Sequence, residues 1–412
     1  MYQRRRYALS VASTAVALFA TAVLPAAPVL AAQRQVTCGM TVTANVTLTR
    51  NLTCTGPGLI IGANNITINL GGHTITGTGP GTTIGIHAEG RTNLRIHNGT
   101  ITGFRQAVAL YRTRNVVLRG LRITGNAPIT SAYAGALYVD ESENVDILDS
   151  RLIQPEAAQA SWVSASSDVR MERVQASGSL TWVTSSDAIV TRSVVTSGSL
   201  LFATSTQRAS IRHNVLRRAS VFTSEVSSVT IADNRFVGPT RVAIGLTITR
   251  GPVVERNVVT GAETGLGMDA LVSNARIMSN FFADNGYGVH MIEPDLIVDN
   301  LLIADNIFAG NHNAGVFLEA ARIPRGDTPL TVSRNTFVRN GHRSTDRDSA
   351  GRRIDDGIHT NLPVGSLLTI SHNRTYVNAD HGIEALPAGS VIDGGGNRST
   401  GDPNGCAGVA CA

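Results

Sequence analysis

Lysine is absent from this 412-residue chain, and all 35 basic residues are arginine, a bias that reports on a GC-rich coding sequence more than on ligand chemistry. Charge as a whole is scarce, with charged residues at 16% and aromatic residues at 5%. Outside Arg4, Arg5 and Arg6, the count falls to 32 arginines against 30 acidic residues. That balance gives no support for nucleic acid or an acidic membrane as partner. Cysteine is limited to four residues, while glycine reaches 41. Such a composition fits many short strands and tight turns and argues against a helical domain.

Residues 1–32 combine the basic start Arg4-Arg5-Arg6 with an apolar stretch rich in Ala, Val and Leu. Pro25 and Pro28 then precede Val29-Leu-Ala-Ala32. We expect a signal peptide, because the prolines and small residues break the stretch short of an ordinary membrane span. The expected location is secreted or cell-surface, with no stable membrane insertion after cleavage.

Asparagine recurs on a slow clock: Asn214, Asn234, Asn257, Asn280, Asn306, Asn335, Asn373 and Asn397, each beside an Ile/Val-rich run. Intervals of 20 to 38 residues are the size of a solenoid turn with occasional insertions. The blocks Val229–Phe236, Ala275–Phe282, Leu301–Phe308 and Leu330–Phe337 repeat one pattern of alternating strand residues followed by a turn. Alternation sends every second side chain inward, and asparagine tolerates a left-handed turn while bonding the next amide along a stack. The register extends back through Asn98, Gly120, Ser150, Glu172 and Ser193. About fourteen rungs over residues 65–400 at about 4.8 Å each give a rod about 65 Å long, with an N-terminal cap and first strand at 33–64 and a C-terminal cap at 401–412. Cys38 with Cys54 and Cys406 with Cys411 flank the array, and in an exported chain they are expected as disulfides locking the two ends.

The segments Leu52-Thr-Cys54, Ile60–Ile75 and Asn93–Ile101 resemble the opening rungs of exported right-handed parallel β-helix proteins of the pectin-lyase-like superfamily, including the NosD-like group. Asp355-Asp-Gly-Ile358, His381-Gly-Ile-Glu-Ala385 and Asp393–Asn397 resemble the C-terminal end of such repeat proteins. The resemblance implies an all-β, right-handed parallel β-helix over nearly all of the mature chain. For activity it implies a range that runs from pectate and pectin lyases, epimerases and depolymerases to modules without a known reaction. The pectate-lyase calcium and arginine motifs are not recognisable.

Chemistry is expected where long inserts wall a groove. Inserts around Ala321–Thr328 and His342–Arg353 interrupt consecutive rungs, and the second carries His342, Arg343, Asp346, Arg347, Asp348, Arg352 and Arg353. Aligning Gly288-Val-His290, Gly315-Val-Phe317, Gly357-Ile-His359 and Gly382-Ile-Glu384 points Val289, Val316, Ile358 and Ile383 inward. His290, Phe317, His359 and Glu384 then project outward, with Tyr287, Asp355, Asp356, Asp380, His381, Glu319 and Asn361 nearby. Lyase or C5-epimerase chemistry on a uronate needs a cation at the carboxylate, a base for the C5 proton, and an acid. Arg343, Arg347, Arg352 or Arg353 can supply the first, His359 or His290 the second, and Tyr287 or His381 the third. Hydrolysis would instead pair Asp355 or Asp356 with Asp380 or Glu384. Calcium can bridge the same acids, and no metal ligand is assigned.

The alternative makes Asp-Gly ordinary turn chemistry and the arginines a solvated loop. The expected partner is an extracellular, acidic polysaccharide, bound or modified. The competing classes are a noncatalytic cell-surface or matrix solenoid and a NosD-like metal-related protein. The last is disfavoured, since all four cysteines are committed to end caps. Trp162, Trp182, Phe202 and Phe222, spaced by 20 residues, suggest one aromatic column, either a core ladder or an outward stacking platform. His73, His87, Glu89 and His97 lack the spacing of a metal site.

Overall fold

In the computed structural model the described residues are 35–78, 84–124, 136–154, 159–291, 297–320 and 329–412. The expected signal peptide, residues 1–32, and the insert around Ala321–Thr328 lie outside them. Val36–Ala412 forms one compact unit, an all-β parallel solenoid of about 15 turns. Each short strand alternates buried and outward residues, as in Arg114–Thr124, where Val116, Leu118, Leu121 and Ile123 are buried. Such a strip cannot bury its apolar side alone, so it stacks in parallel on the equivalent strip one coil away. Ser179–Val183 pairs with Gly198–Ala203, and that strand with Ala219–Ser227. Three strands per coil generate three stacks around one core. Coil pairing already begins at Met40–Val42, in register with Leu59–Ile61. It ends where Cys406–Ala407 pairs with Ile383–Glu384. The disulfides Cys38–Cys54 and Cys406–Cys411, with Cα–Cα distances of 5.6 and 6.0 Å, close the two ends. Among the described residues no helix is long and apolar enough to cross a membrane.

The asparagine clock is a continuous buried ladder. From Asn214 to Asn373, each backbone N–H donates to the Oδ1 of the next asparagine at 2.8–3.0 Å. Each Nδ2 donates to that same oxygen at 3.0–3.2 Å. A second ladder, absent from the sequence argument, runs through Asn285, Asn311, Asn340, Asn378 and Asp402 at the corner entering the site strands. The left-handed backbone was expected at the asparagine but belongs to the residue before it: His213, Asp233, Arg256, Ser279, Asp305, Arg334 and His372 all have positive φ. The asparagine supplies the side-chain acceptor, and its predecessor makes the bend.

Two register expectations need correction. The ladder extends backward through Ser193 and Ser150, whose hydroxyls accept from Val174 N–H at 3.0 Å and Leu121 N–H at 3.1 Å. Asn98, Gly120 and Glu172 lie outside that column: Asn98 and Gly120 align with one another as the left-handed residues of the bend, and Glu172 sits beside Leu148 in a strand. The aromatic column contains two rings rather than four: Trp182 stacks on Phe202 at 4.9 Å, both in the core. Trp162 pairs with Thr181 and Phe222 with Leu201, each half-buried on the opposite face. Coils one residue shorter or longer than 20 flip every side chain. The continuous core stack is Phe282–Phe308–Phe337, with centroids 5.3 and 4.8 Å apart.

Removing one ladder amide leaves one buried backbone N–H and one buried side-chain N–H without their acceptor. Asn306→Ala is expected to lower unfolding stability by about 2–4 kcal/mol, whereas Gln175→Ala, exposed on a strand, should stay within about 0.5 kcal/mol. Urea unfolding of the two variants beside the parent decides this, and equal effects would remove the ladder from the stability argument.

Candidate functional site

The glycines that open the site strands are sterically obligatory. A Cβ on Gly288, Gly315 or Gly357 would approach the carbonyl oxygen of the next coil's glycine to 2.4, 2.7 or 2.5 Å. This close approach locks the register: Val289, Val316, Ile358 and Ile383 stack inward, fully buried, as the sequence alignment required. His290, Phe317, His359 and Glu384 therefore form the neighbouring outward column. Their expected exposure is the part that changes. The segment Gly341–Ile354 folds back over the column, so that Phe317, His359 and Glu384 are buried and only His290 keeps partial access.

Beneath that cover lies a charged network. His359 Nδ1 is 2.6 Å from Asp356 Oδ2 and 2.9 Å from Glu384 Oε2, and Nε2 is 3.1 Å from Asp348 Oδ2. Both ring nitrogens meet only carboxylates, so both donate and the ring is an imidazolium. Burial opposes that charge, but the bonds to Asp356 and Glu384 prevail and raise the pKa to about 9. Burial is likewise outweighed at Asp356 and Asp348, whose carboxyls are held below their ordinary value by hydrogen bonds from His359. Arg352 Nη2 reaches Asp348 Oδ2 at 2.6 Å, and Nη1 lies 3.5 Å from Glu384 Oε1. Asp348 and Arg352 belong to the folded-back segment, whereas His359, Asp356 and Glu384 belong to the coils. The network thus fastens the cover to the rod.

The other candidates divide between fastening and access. Glu319 accepts from Ser349 N–H at 2.9 Å and Asn361 Nδ2 at 2.6 Å, which ties down the tip of the segment. Arg347 donates to the Gly351 carbonyl, and Arg353 to the Ser344 carbonyl while lying 3.5 Å from Asp355. Asp355 is raised above the ordinary carboxyl value by burial and by the adjacent Asp356 and Asp380. The His381 backbone N–H donates to Asp356 Oδ1 at 2.8 Å, while its ring lies 3.5 Å from the same oxygen and 3.3 Å from Asp380, and the ring's contact with Asp356 raises its pKa.

Access exists two coils from His359, in a cleft of about 550 Å³ lined by Arg241, Glu263, Tyr287, His290, His312, Arg343 and Asp346, among others. His290 is sandwiched between Tyr287 and Phe317 at centroid distances of 4.4 and 5.1 Å. Burial lowers its pKa to about 4, so the imidazole is neutral at physiological pH. The Tyr287 hydroxyl donates to Asp346 Oδ2 at 2.6 Å, and burial followed by that bond raises its pKa. Of the four insert arginines only Arg343 lines the cleft, 3.4 Å from His312 Nε2. The sequence reading omitted Arg241, Glu263 and His312. The signal was present in register: Val242 pairs with Thr264 and Thr264 with Tyr287, which puts Arg241 and Glu263 one residue before the site strands.

The His359 pKa sets a pH dependence. A raised pKa means the stabilisation is complete below about 6.5, the unfolded value, and is lost as pH rises through about 9. The loss amounts to about 3 kcal/mol over that window. Denaturant unfolding between pH 6 and 10 should show this slope in the parent. It should be absent in His359→Gln, which starts about 3–5 kcal/mol lower; parallel curves would remove the buried imidazolium.

Residues 122–316 match the family model NosD, described as periplasmic copper-binding protein. No curated protein matches the chain in sequence. Among solved structures, PfbA, a surface adhesin of Streptococcus pneumoniae, is 11% identical, with 66% of this chain and 81% of that chain covered at a TM-score of 0.48. A double mutant of the periplasmic alginate epimerase AlgG is 10% identical, with 89% and 77% covered at 0.38. The A-module of mannuronan C-5 epimerase AlgE4 from Azotobacter vinelandii is 13% identical, with 91% of both chains covered at 0.30. Likeness of this degree transfers no residue role. The chain is an all-β parallel solenoid and carries the NosD pattern over residues 122–316, a match that ends before the folded-back segment and His359.

Proposed function

We propose that the protein binds and modifies an acidic extracellular polysaccharide in the cleft beside His290, by abstracting the C5 proton of a uronate. The observation that carries this reading is the pairing of a neutral, partly accessible imidazole with arginines 241 and 343 in one cleft. The C5–H of a uronate is acidified when a cation holds the carboxylate, because the carbanion's charge then spreads onto the carboxyl oxygens. Arg343 and Arg241 hold that carboxylate, and His290 takes the proton. Expulsion of the 4-linked oxygen completes a lyase reaction, whereas reprotonation from the opposite face completes an epimerase reaction. Tyr287, hydrogen-bonded to Asp346, stands on the same wall as the proton donor. His359, charged and enclosed, has no lone pair to offer as a base, so its role is to hold the segment that carries Arg343 and Asp346.

Copper, named by the matching family model, is a poor fit to the residues that come together. Asp356, His359 and Glu384 lie within reach of one ion. Yet both His359 nitrogens donate to carboxylates, and Arg352 occupies the remaining side of Asp348 and Glu384. The other group, Asp356, Asp380 and His381, offers one imidazole and two hard oxygen donors. All four cysteines are in disulfides, so the soft donors that favour copper are not gathered here.

Incubating the purified protein with a panel of uronic-acid polysaccharides, with and without calcium, tests the proposal. Absorbance near 235 nm reports unsaturated ends and proton NMR reports epimerised residues. His290→Ala should lower turnover by about 10²–10⁴-fold while the protein stays folded, and Arg343→Ala should raise KM and lower kcat. In the parent, the acid limb of kcat/KM should lie near pH 4, where His290 gains its proton. No product on any uronan, with only saturable binding, would make the protein a noncatalytic glycan-binding solenoid.

A further inference from the structure

A second feature lies on a different face, at the last coils of the rod. Along one corner of the solenoid, charges pair between coils: Arg173 with Asp149 at 2.5 Å, Arg256 with Asp233 at 2.7 Å and Arg334 with Asp305 at 2.9 Å. The column then continues as His372 and Gly396, so this alternation stops. The strands leaving the corner place Arg374 beside Arg398 in register, both exposed. Among the described residues, no carboxylate lies within ion-pair distance of either. Like charges directly opposite one another on neighbouring strands are destabilising, and an anion would remove the penalty.

The space around them is shaped. A pocket of about 440 Å³ is lined by Arg334, Asn335, Thr336, His372, Arg374, Gly396 and Arg398, without a single acidic residue. Arg334 is fixed as a wall by its bidentate bonds to Asp305, both at 2.9 Å. Gly396 is required by the floor: a Cβ there would come within 2.7 Å of the His372 ring. Arginines in register on strands about 4.8 Å apart can bring two guanidinium groups to one oxyanion, and their planar forks match carboxylate and sulfate oxygens.

We propose that Arg374 and Arg398, with His372 and Arg334 beside them, form a second binding site that takes the oxyanion group, carboxylate or sulfate ester, of an acidic glycan. The site is separate from the cleft at His290. It rests on the glycan reading above only for the source of the anion, because the recognition of the oxyanion stands on this pocket alone.

Calorimetric titration of the full chain at low salt, in an Arg343→Gln background that weakens the cleft, tests it. The probes are an oligogalacturonate, a sulfated oligosaccharide, inorganic sulfate and inorganic phosphate. Saturable binding of either oligosaccharide is expected, weakened about tenfold by Arg374→Gln or Arg398→Gln. Both exchanges fall on exposed side chains, and circular dichroism establishes that the fold persists. Equal affinity in parent and variants would overturn the site, as would the absence of saturable binding. Binding of the inorganic anions alone would overturn the glycan source. Because uronan turnover by the protein with Arg343 intact is measured separately, failure here leaves the cleft reading untouched, and failure of the cleft leaves this one standing.

Discussion

A stack of parallel coils has to satisfy a sharp bend at every turn without water, and the buried asparagine ladder meets that constraint. At each bend the chain adopts a left-handed residue and then an inward asparagine whose Oδ1 accepts from the coil before it. Without that acceptor the corner N–H groups would be buried and unpaired, which outweighs what one coil gains from apolar contact. The earlier coils solve the same problem with hydroxyls: Ser150 and Ser193 stand in the asparagine's column, and Ser142, Ser166 and Ser185 form a ladder at another corner. The register of every strand, and therefore of every outward side chain, follows from these corners.

The site inherits its geometry from that register. The second ladder, Asn285 to Asp402, sits immediately before the glycine-led strands, so the outward column of His290, Phe317, His359 and Glu384 is placed by buried amides rather than by its own contacts. What then distinguishes two histidines in one column is their electrostatic surroundings. His290 lies between aromatic rings and remains neutral, whereas His359 lies among three carboxylates and is charged. An identical side chain two coils apart becomes a proton acceptor or a structural cation according to its neighbours.

Much of this was legible in the sequence, for physical reasons. Asparagine spacing reports coil length directly, and the Gly-Val or Gly-Ile repeats gave the inward stack of Val289, Val316, Ile358 and Ile383 correctly. Both disulfides followed from the placement of the four cysteines. The burial of His359 was not legible, because it depends on a segment bending back through Asp348 and Arg352, and four residues of separation do not encode which surface they meet. The aromatic column failed because its constant interval was mistaken for constant coil length. A bulge between Gln159 and Ser161 shifts the register, and one residue is enough to turn Trp162 outward. Arg241 and Glu263 were not legible as site residues because they sit on short corners of earlier coils, away from the inserts that mark a groove in the sequence.

The coil joining Gly178 to Gly198 has a consequence of another kind. These two glycines share left-handed backbone and the same following Ser-Leu, and a Cβ at Gly198 would meet the Gly178 carbonyl carbon at 2.6 Å. Each coil here is a nearly interchangeable tile that contacts only the tiles on either side. The rod is therefore a molecular ruler graduated in steps of about 4.8 Å. Gene duplication or loss of one tile would change the reach between its two ends by a fixed increment and leave the chemistry of the later coils where it was.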